Sequence, residues 1–212
     1  MSKTLTVVLD LQNRHNSLRH QFLLERSVGL LMDRSLPWFE RKFDFSFPTE
    51  LYPNLCARLR GTPARLDEIV SASSRGQLIA KRDAGWSAQE HAGHLLDLEA
   101  LWAARVEDFV RRKAELATAD LNNRKTHEAN HNATAADEIL KKFKASRSGM
   151  MRLIEAMDPA LFGSTSLHPR LKQPMRMVDH LYFVAEHDDH HLARIFELLQ
   201  GGDGRDEAEL KP

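Results

Sequence analysis

Between Trp86 and Phe109 the apolar residues return every three or four positions: Leu95, Leu98, Leu101, Trp102, Val106 and Phe109. That spacing lays them along one face of an α-helix, and a strand, whose faces alternate with period two, could not bury them together. Ser87 and Glu90, three apart, form a capping box at its start, and the pattern predicts a helix over residues 87–115. The same period recurs in Ile139, Phe143, Met150, Leu153, Ile154 and Met157, and again in Met177, Leu181, Val184, Leu192 and Ile195. A further helix is expected over 62–74, with Thr62 as N-cap, Pro63 at the first helical position and Leu66, Ile69 and Val70 as its apolar stripe. The preceding TELYPNLCARLR reads as a separate short helix stopped by Gly61. The last helix is expected to open at Pro174 and to stop at Gly201 and Gly202. Strand signal is nearly absent, so the fold class is all-α, a four-helix bundle.

The flanking segments read differently. Residues 1–34 place their apolar residues unevenly and form an N-terminal extension with no defined structural expectation. Met32 is a candidate start of the native protein, because recognisable pattern begins only around PWFERKFDFSFP; the intact mass of the natively expressed protein decides this. DFSFPTELYP, with two prolines and alternating aromatics, is expected to lie extended across other elements. The bundle is expected over residues 35–200, and the polar tail 201–212 is expected to be disordered.

Composition narrows the function classes. The chain has 212 residues, 42% of them hydrophobic, with 30 basic and 30 acidic side chains. Net neutrality gives no electrostatic reason to expect a nucleic acid or an anionic membrane as partner. No apolar run approaches the roughly 20 residues of a membrane span, and LTVVL is too short for the core of a signal peptide. One cysteine, Cys56, allows no intramolecular disulfide. It is expected to be a small buried residue beside Leu55 and Leu59, and the chain is expected to be cytoplasmic.

The chemistry concentrates in AEHDDHHLARI, residues 185–195. With His187 set at zero on a helical wheel, Val184, Ile195, Met177, Leu181 and Leu192 fall at about 60–140°. His187 and His191 share the inward edge at i, i+4 spacing, by which two imidazoles can reach one metal. Asp188 falls inside the apolar face, where a carboxylate needs a histidine or a cation as partner. Glu186, Asp189 and His190 turn toward solvent, and His180 is expected deeper in the core. On the second helix both His91 and His94 point inward, and the wheel does not choose between them.

WSAQEHAGHLLDLE resembles the Trp-Ser-x-x-Glu-x-x-x-His-Leu signature of the DinB-like (DinB/YfiT) superfamily, and AEHDDHHLARI resembles its C-terminal His-x-x-x-His helix. The resemblance spans Trp38 to Gln200. It implies an up-down-down-up bundle with a long crossover between helices 2 and 3, here residues 116–132, and a divalent metal, nickel or zinc, held by His94, His187 and His191. The crossover would bring THEANHN to the same end of the bundle. That makes His127 and His131 candidate catalytic residues, and Asn130 and His168 candidates for the pocket lining, although Asn132 could simply cap helix three. Glu90, Asp97 or Asp188 could orient a ligand imidazole through its second nitrogen, with Asp188 preferred.

A three-imidazole site leaves the metal open positions, as in catalytic rather than structural sites. The resemblance therefore implies a metal-dependent enzyme acting on a small molecule. It would be a transferase using a low-molecular-weight thiol such as bacillithiol, mycothiol or glutathione, or a hydrolase activating water. The alternative is a non-catalytic metal-binding or ligand-binding helical module. Pairing of two copies into a homodimer is compatible with a small bundle; nothing in the sequence specifies an interface.

Overall fold

In the computed structural model, residues 36–82 and 85–200 are described. The expected N-terminal extension, the Gly201–Gly202 stop and the tail lie outside them. The helices are α1 (Tyr52–Ser71), α2 (Arg75–Ile79), α3 (Ala88–Val110), α4 (Arg124–Glu128), α5 (Ala136–Glu155) and α6 (Met177–Gln200). A two-stranded antiparallel hairpin, β1 (Thr165–His168) and β2 (Gln173–Arg176), sits before α6. Among the described residues no helix is long and apolar enough to cross a membrane.

The four long helices form the bundle, and the core shows how they run. Leu66 and Val70 near the end of α1 pack with Leu192, Ile195 and Leu198 near the end of α6. The same cluster holds Ala88, Ala92 and Leu95 from the start of α3, and Ile139 and Phe143 from the start of α5. At the other end Leu55 and Leu59 meet Met177, Leu181, Trp102, Phe109, Met150 and Ile154. Thus α1 and α6 run one way and α3 and α5 the other, the up-down-down-up order. Successive α3 and α5 are parallel, so the connection between them must travel back along the bundle, and it carries α4 and the 3-10 turn His131–Ala133 on the way.

The first helix is not two pieces. α1 runs unbroken through Gly61 and Pro63, where a stop and a new start were expected. Proline removes the N–H that would reach the Leu59 carbonyl. Here Arg147 Nη1 from α5 donates to that oxygen at 3.1 Å, so the vacant acceptor is satisfied from a neighbouring helix. Thr62 is no N-cap; its hydroxyl donates to Asp188 Oδ2 at 2.8 Å.

Two further boundaries moved. α3 ends at Val110 rather than 115, because Arg112 adopts φ 52°. Its N–H reaches Phe109 O, and that of Lys113 reaches Asp108 O. This is the paired-bond stop usually built on glycine. Pro174 lies in β2, opposite Leu167, and α6 begins at Met177, where Asp179 accepts from the backbone N–H of Arg176 at 2.7 Å. The hairpin joins the start of the crossover: Leu167 donates to Ala114 O and accepts from Leu116 N–H. Of DFSFPTELYP only the first half avoids regular structure: Phe45 and Phe47, with Phe43 before them, pack on the core as expected, while Arg176 Nη2 holds the Phe45 and Phe47 carbonyls at 2.8 Å each. Thr49–Leu51 form a 3-10 turn and α1 begins at Tyr52, so the second half is helical rather than extended.

Candidate metal centre

Antiparallel packing of α3 and α6 brings His94 level with His187 and His191. All three are buried, and one ring nitrogen from each lies within 4.8 Å of the others. The Nε2 atoms of His187 and His191 are 3.2 Å apart. Two nitrogens each 2.0–2.1 Å from one tetrahedral ion would stand about 3.3 Å apart, so the pair is spaced for a shared metal.

The hydrogen-bond network around His94 dictates its tautomer. Asp97 Oδ2 accepts from Thr126 Oγ1 at 3.0 Å and from His131 Nε2 at 2.8 Å. Burial would raise the Asp97 pKa, but the His131 contact, the Thr126 hydroxyl and Lys125 outweigh it and hold it below the usual carboxylate value. The one proton of Thr126 is thereby committed, and its oxygen must accept from His94 Nδ1, 3.0 Å away. His94 then carries its proton on Nδ1 and presents the Nε2 lone pair to the centre. On the other side His191 Nδ1 lies 2.9 Å from His91 Nδ1. If His191 donates there, its Nε2 also faces the centre as a lone pair. Nδ1 of His187 is buried with no hydrogen-bond partner, so what meets Nε2 settles that ring's proton. Burial, then the neighbouring imidazoles, hold His187 and His191 well below the usual histidine pKa. Neutral rings are what metal ligation requires.

Indoles wall the site. Trp38 stands edge-on to His187 at 4.9 Å, Trp86 lies 4.7 Å from His94, and Trp102 lies 5.4 Å from His187. A cavity of about 250 Å³ opens from the three histidines and runs between Trp38 and Trp102 to His168 and Arg170.

The expected site residues divide accordingly. His94, His187 and His191 come together, and His91 stands behind His191. Asp188 does not touch an imidazole. It is fully buried, and its oxygens take Arg147 Nη1 at 2.5 Å and Arg147 Nη2 at 3.1 Å; the buried carboxylate found a cation, not a histidine. The outer position on His94 belongs to Thr126 backed by Asp97. His131 is buried, bonded to Asp97 and lying over Gly93, where a Cβ would collide with its ring. His127 is exposed, 5.6 Å from Trp86. Asn130 is exposed and turns the chain at φ 48°, so it does not line the cavity. Asn132 is not the cap of α5: its side chain accepts from Ser87 Oγ at 2.7 Å. His168 does line the cavity. His190 was expected toward solvent but is buried, its ring 5.8 Å from that of Trp38, which covers that face. Glu186 and Asp189 instead pair with Arg41, Arg58 and Arg65. Cys56 is buried in the core, away from the centre, and burial pushes its thiol pKa up.

The sequence matches the DinB superfamily over residues 58–195. The chain belongs to the DinB superfamily. Among solved structures this DinB-superfamily protein is similar to YfiT from Bacillus subtilis, "a probable metal-dependent hydrolase with an unusual four-helix bundle topology", at 23% identity and a TM-score of 0.65, covering 75% of this chain and 91% of YfiT. At that identity the likeness establishes the shared fold. No curated protein matches the chain.

Sequence reasoning passed over Thr126, Gly93, Trp38 and Trp102 as parts of this DinB-type centre. Only Gly93 carried a signal, one residue before a candidate ligand on a buried face, where close approach of another chain segment is the usual reason for a glycine.

Proposed function

We propose that this DinB-superfamily protein binds a divalent metal through His94, His187 and His191 and acts as a metal-dependent hydrolase on a small molecule. The observation that carries the reading is the convergence of three buried imidazoles, with the His94 tautomer fixed by Thr126. What is held probable of YfiT agrees with it. A bound metal in such a site supplies Lewis acidity, lowering the pKa of water and polarising a carbonyl or phosphoryl oxygen. The chain does the rest. Thr126 and Asp97 hold the Nδ1 proton of His94, Trp38 and Trp102 exclude bulk water, and the cavity admits the substrate beside His187 and His191.

A thiol-transferase remains the competing chemistry within the same site, since a metal that activates water also activates a thiol. Metal content of the purified protein, compared with His94→Ala and His187→Ala, tests the centre. Each variant is expected to retain less than about a tenth of the wild-type metal, because two imidazoles hold a divalent ion far more weakly than three; full retention in both ends the proposal. Cobalt-substituted protein then separates the chemistries. A thiol-induced charge-transfer band supports the transferase, and hydrolysis of ester or amide substrates without thiol supports the hydrolase.

A further inference from the structure

The far end of the cavity is built unlike the metal end. Arg105 and Arg170 both line it, with His168, the last residue of β1, beside Arg105. Neither guanidinium forms an ion pair among the described residues, although Arg105 is only 1% exposed. Arg105 gives Nε–H to the Ala117 carbonyl at 2.8 Å, which positions its fork, and Nη1 faces His168 Nε2 at 3.1 Å. His168 Nδ1 faces the backbone N–H of Leu171, also at 3.1 Å. A neutral imidazole accepts at one nitrogen and donates at the other. One of these two contacts is therefore donor against donor. Arg170 Nη2 is shut away from solvent with no hydrogen-bond partner, its guanidinium lying over Phe39 at 5.3 Å and Trp38 at 5.8 Å.

The neighbouring acids are spoken for. Asp108 takes Lys113 and the Ala117 N–H, Glu115 stands 3.7 Å from Lys172, and Asp120 takes Arg124. Glu115 and Asp120 also line the cavity and Asp108 acts on Arg105 through space, yet none of these carboxylates pairs with either guanidinium, so the pocket end holds two unpaired cations and a surplus of N–H donors. Burial and then the charge of Arg170 lower the Arg105 pKa to about 10, and burial with both arginines holds His168 down to about 3. Buried charge of one sign without a counter-charge is costly unless a ligand supplies it.

We propose that Arg105 and Arg170 form an oxyanion-binding subsite, and that the substrate of this protein is a small molecule carrying a carboxylate or phosphate group at one end and its reacting group at the other. The spacing supports this. Trp102 lies 5.4 Å from both His187 and the Arg105 guanidinium, and Trp38 lies 4.9 Å from His187 and 5.8 Å from that of Arg170. Each cation therefore stands one indole away from the three-histidine centre. A molecule with its anion on the arginines would lie between apolar walls of Trp38, Trp102, Leu98 and Phe183 and reach His187 with its other end. A cavity of about 250 Å³ is below the range of about 300–1,000 Å³ common for ligand pockets, which restricts the occupant to a small one. The inference rests on the proposed function for the reacting end only; the anion subsite stands without a metal.

Calorimetric titration of the full-length, chelator-treated protein at pH 7.5 tests it, with 4-phenylbutyrate, phenyl phosphate and the neutral 4-phenylbutyramide as probes. At least one anion is expected to bind about tenfold or more tightly than the amide, as a charge-assisted hydrogen bond to guanidinium requires. Which anion binds better identifies carboxylate or phosphate as the preferred group. Arg170→Gln is expected to remove that preference while leaving amide binding unchanged. Equal binding of anions and amide, or no binding of either anion at millimolar concentration, overturns the subsite, as does a folded Arg170→Gln protein that keeps the preference. The wild-type comparison decides even if the variant fails to fold. Repeating the titration after zinc loading separates the two readings: loss of zinc binding with anion preference intact sinks the metal centre alone, and the converse sinks the subsite alone.

Discussion

Thr126 decides which nitrogen of His94 faces the centre, and it does so with a single hydroxyl proton. Replacing it by valine keeps the shape and deletes that proton and its oxygen. Thr126→Val is expected to weaken metal binding about 10- to 100-fold, the usual effect of removing the partner that orients a ligand imidazole, and to cost about 1–2 kcal/mol in stability. Thr126→Ser should restore most of the affinity. Competition with a chelator of known strength measures both, and wild-type affinity in the valine variant would mean that the tautomer is set otherwise. At this scale much of the centre was legible. His187 and His191 share a face through the helical period alone, and the resemblance supplied His94. Thr126 was not legible, because nothing local marks a threonine in a polar connection as the neighbour of a histidine 32 positions earlier. Asp188 was legible as a buried carboxylate in need of a partner, but not as the partner of Arg147, which sits on another helix at a position that reads as surface lysine-arginine pattern.

That arginine is the main lesson among the elements. Arg147 is 1% exposed and binds Glu99 Oε1 at 2.6 Å, Asp188 at 2.5 Å and the Leu59 carbonyl at 3.1 Å. It joins α1, α3, α5 and α6 at one point. Burial opposes its charge, yet Asp188 and Glu99 hold its pKa above the ordinary arginine value. Arg147→Met would strand two buried carboxylates and re-open the carbonyl that Pro63 cannot serve. A loss of about 3–5 kcal/mol is expected, as for other buried pairs broken from one side, read as a shift in the urea midpoint. A triple replacement of Arg147, Glu99 and Asp188 by apolar residues should recover part of it. The same contact explains why α1 was misread as two helices: Gly61 and Pro63 are genuine stop signals locally, and a tertiary hydrogen bond overrides them. The hairpin was missed for a related reason. Its strands are four residues each, too short to show a period, and they are held by the crossover rather than by their own pattern. The helices α3, α5 and α6, by contrast, were legible because each repeats its apolar period over several turns.

For the whole molecule, the buried histidines make stability a function of pH. Burial holds His91, His180, His187 and His191 well below the usual histidine pKa, and burial with Arg105 and Arg170 does so for His168. These rings stay neutral in the fold but take up protons in the unfolded chain near pH 6.5. Folded pKa values below unfolded ones mean that stability is complete above about pH 6.5 and falls as the pH drops beneath it. Each such ring can contribute up to about 1.4 kcal/mol per pH unit there. The melting temperature of metal-free protein is expected to be flat from pH 7 to 8.5 and to fall steeply between pH 6.5 and 5. A flat profile through that interval would mean that the rings titrate normally. The up-down-down-up order has its own effect at this scale, since it routes the crossover past the ligands and so lets one connection supply both Thr126 and His131. The indole walls have another. The chain has three tryptophans, and every one lies within a few ångströms of a histidine of the centre. The intrinsic emission of this protein therefore comes from one place, and occupancy of the centre can be followed without a label: a paramagnetic ion such as nickel or cobalt would quench the light, zinc would leave it bright, and the protein becomes its own metal sensor.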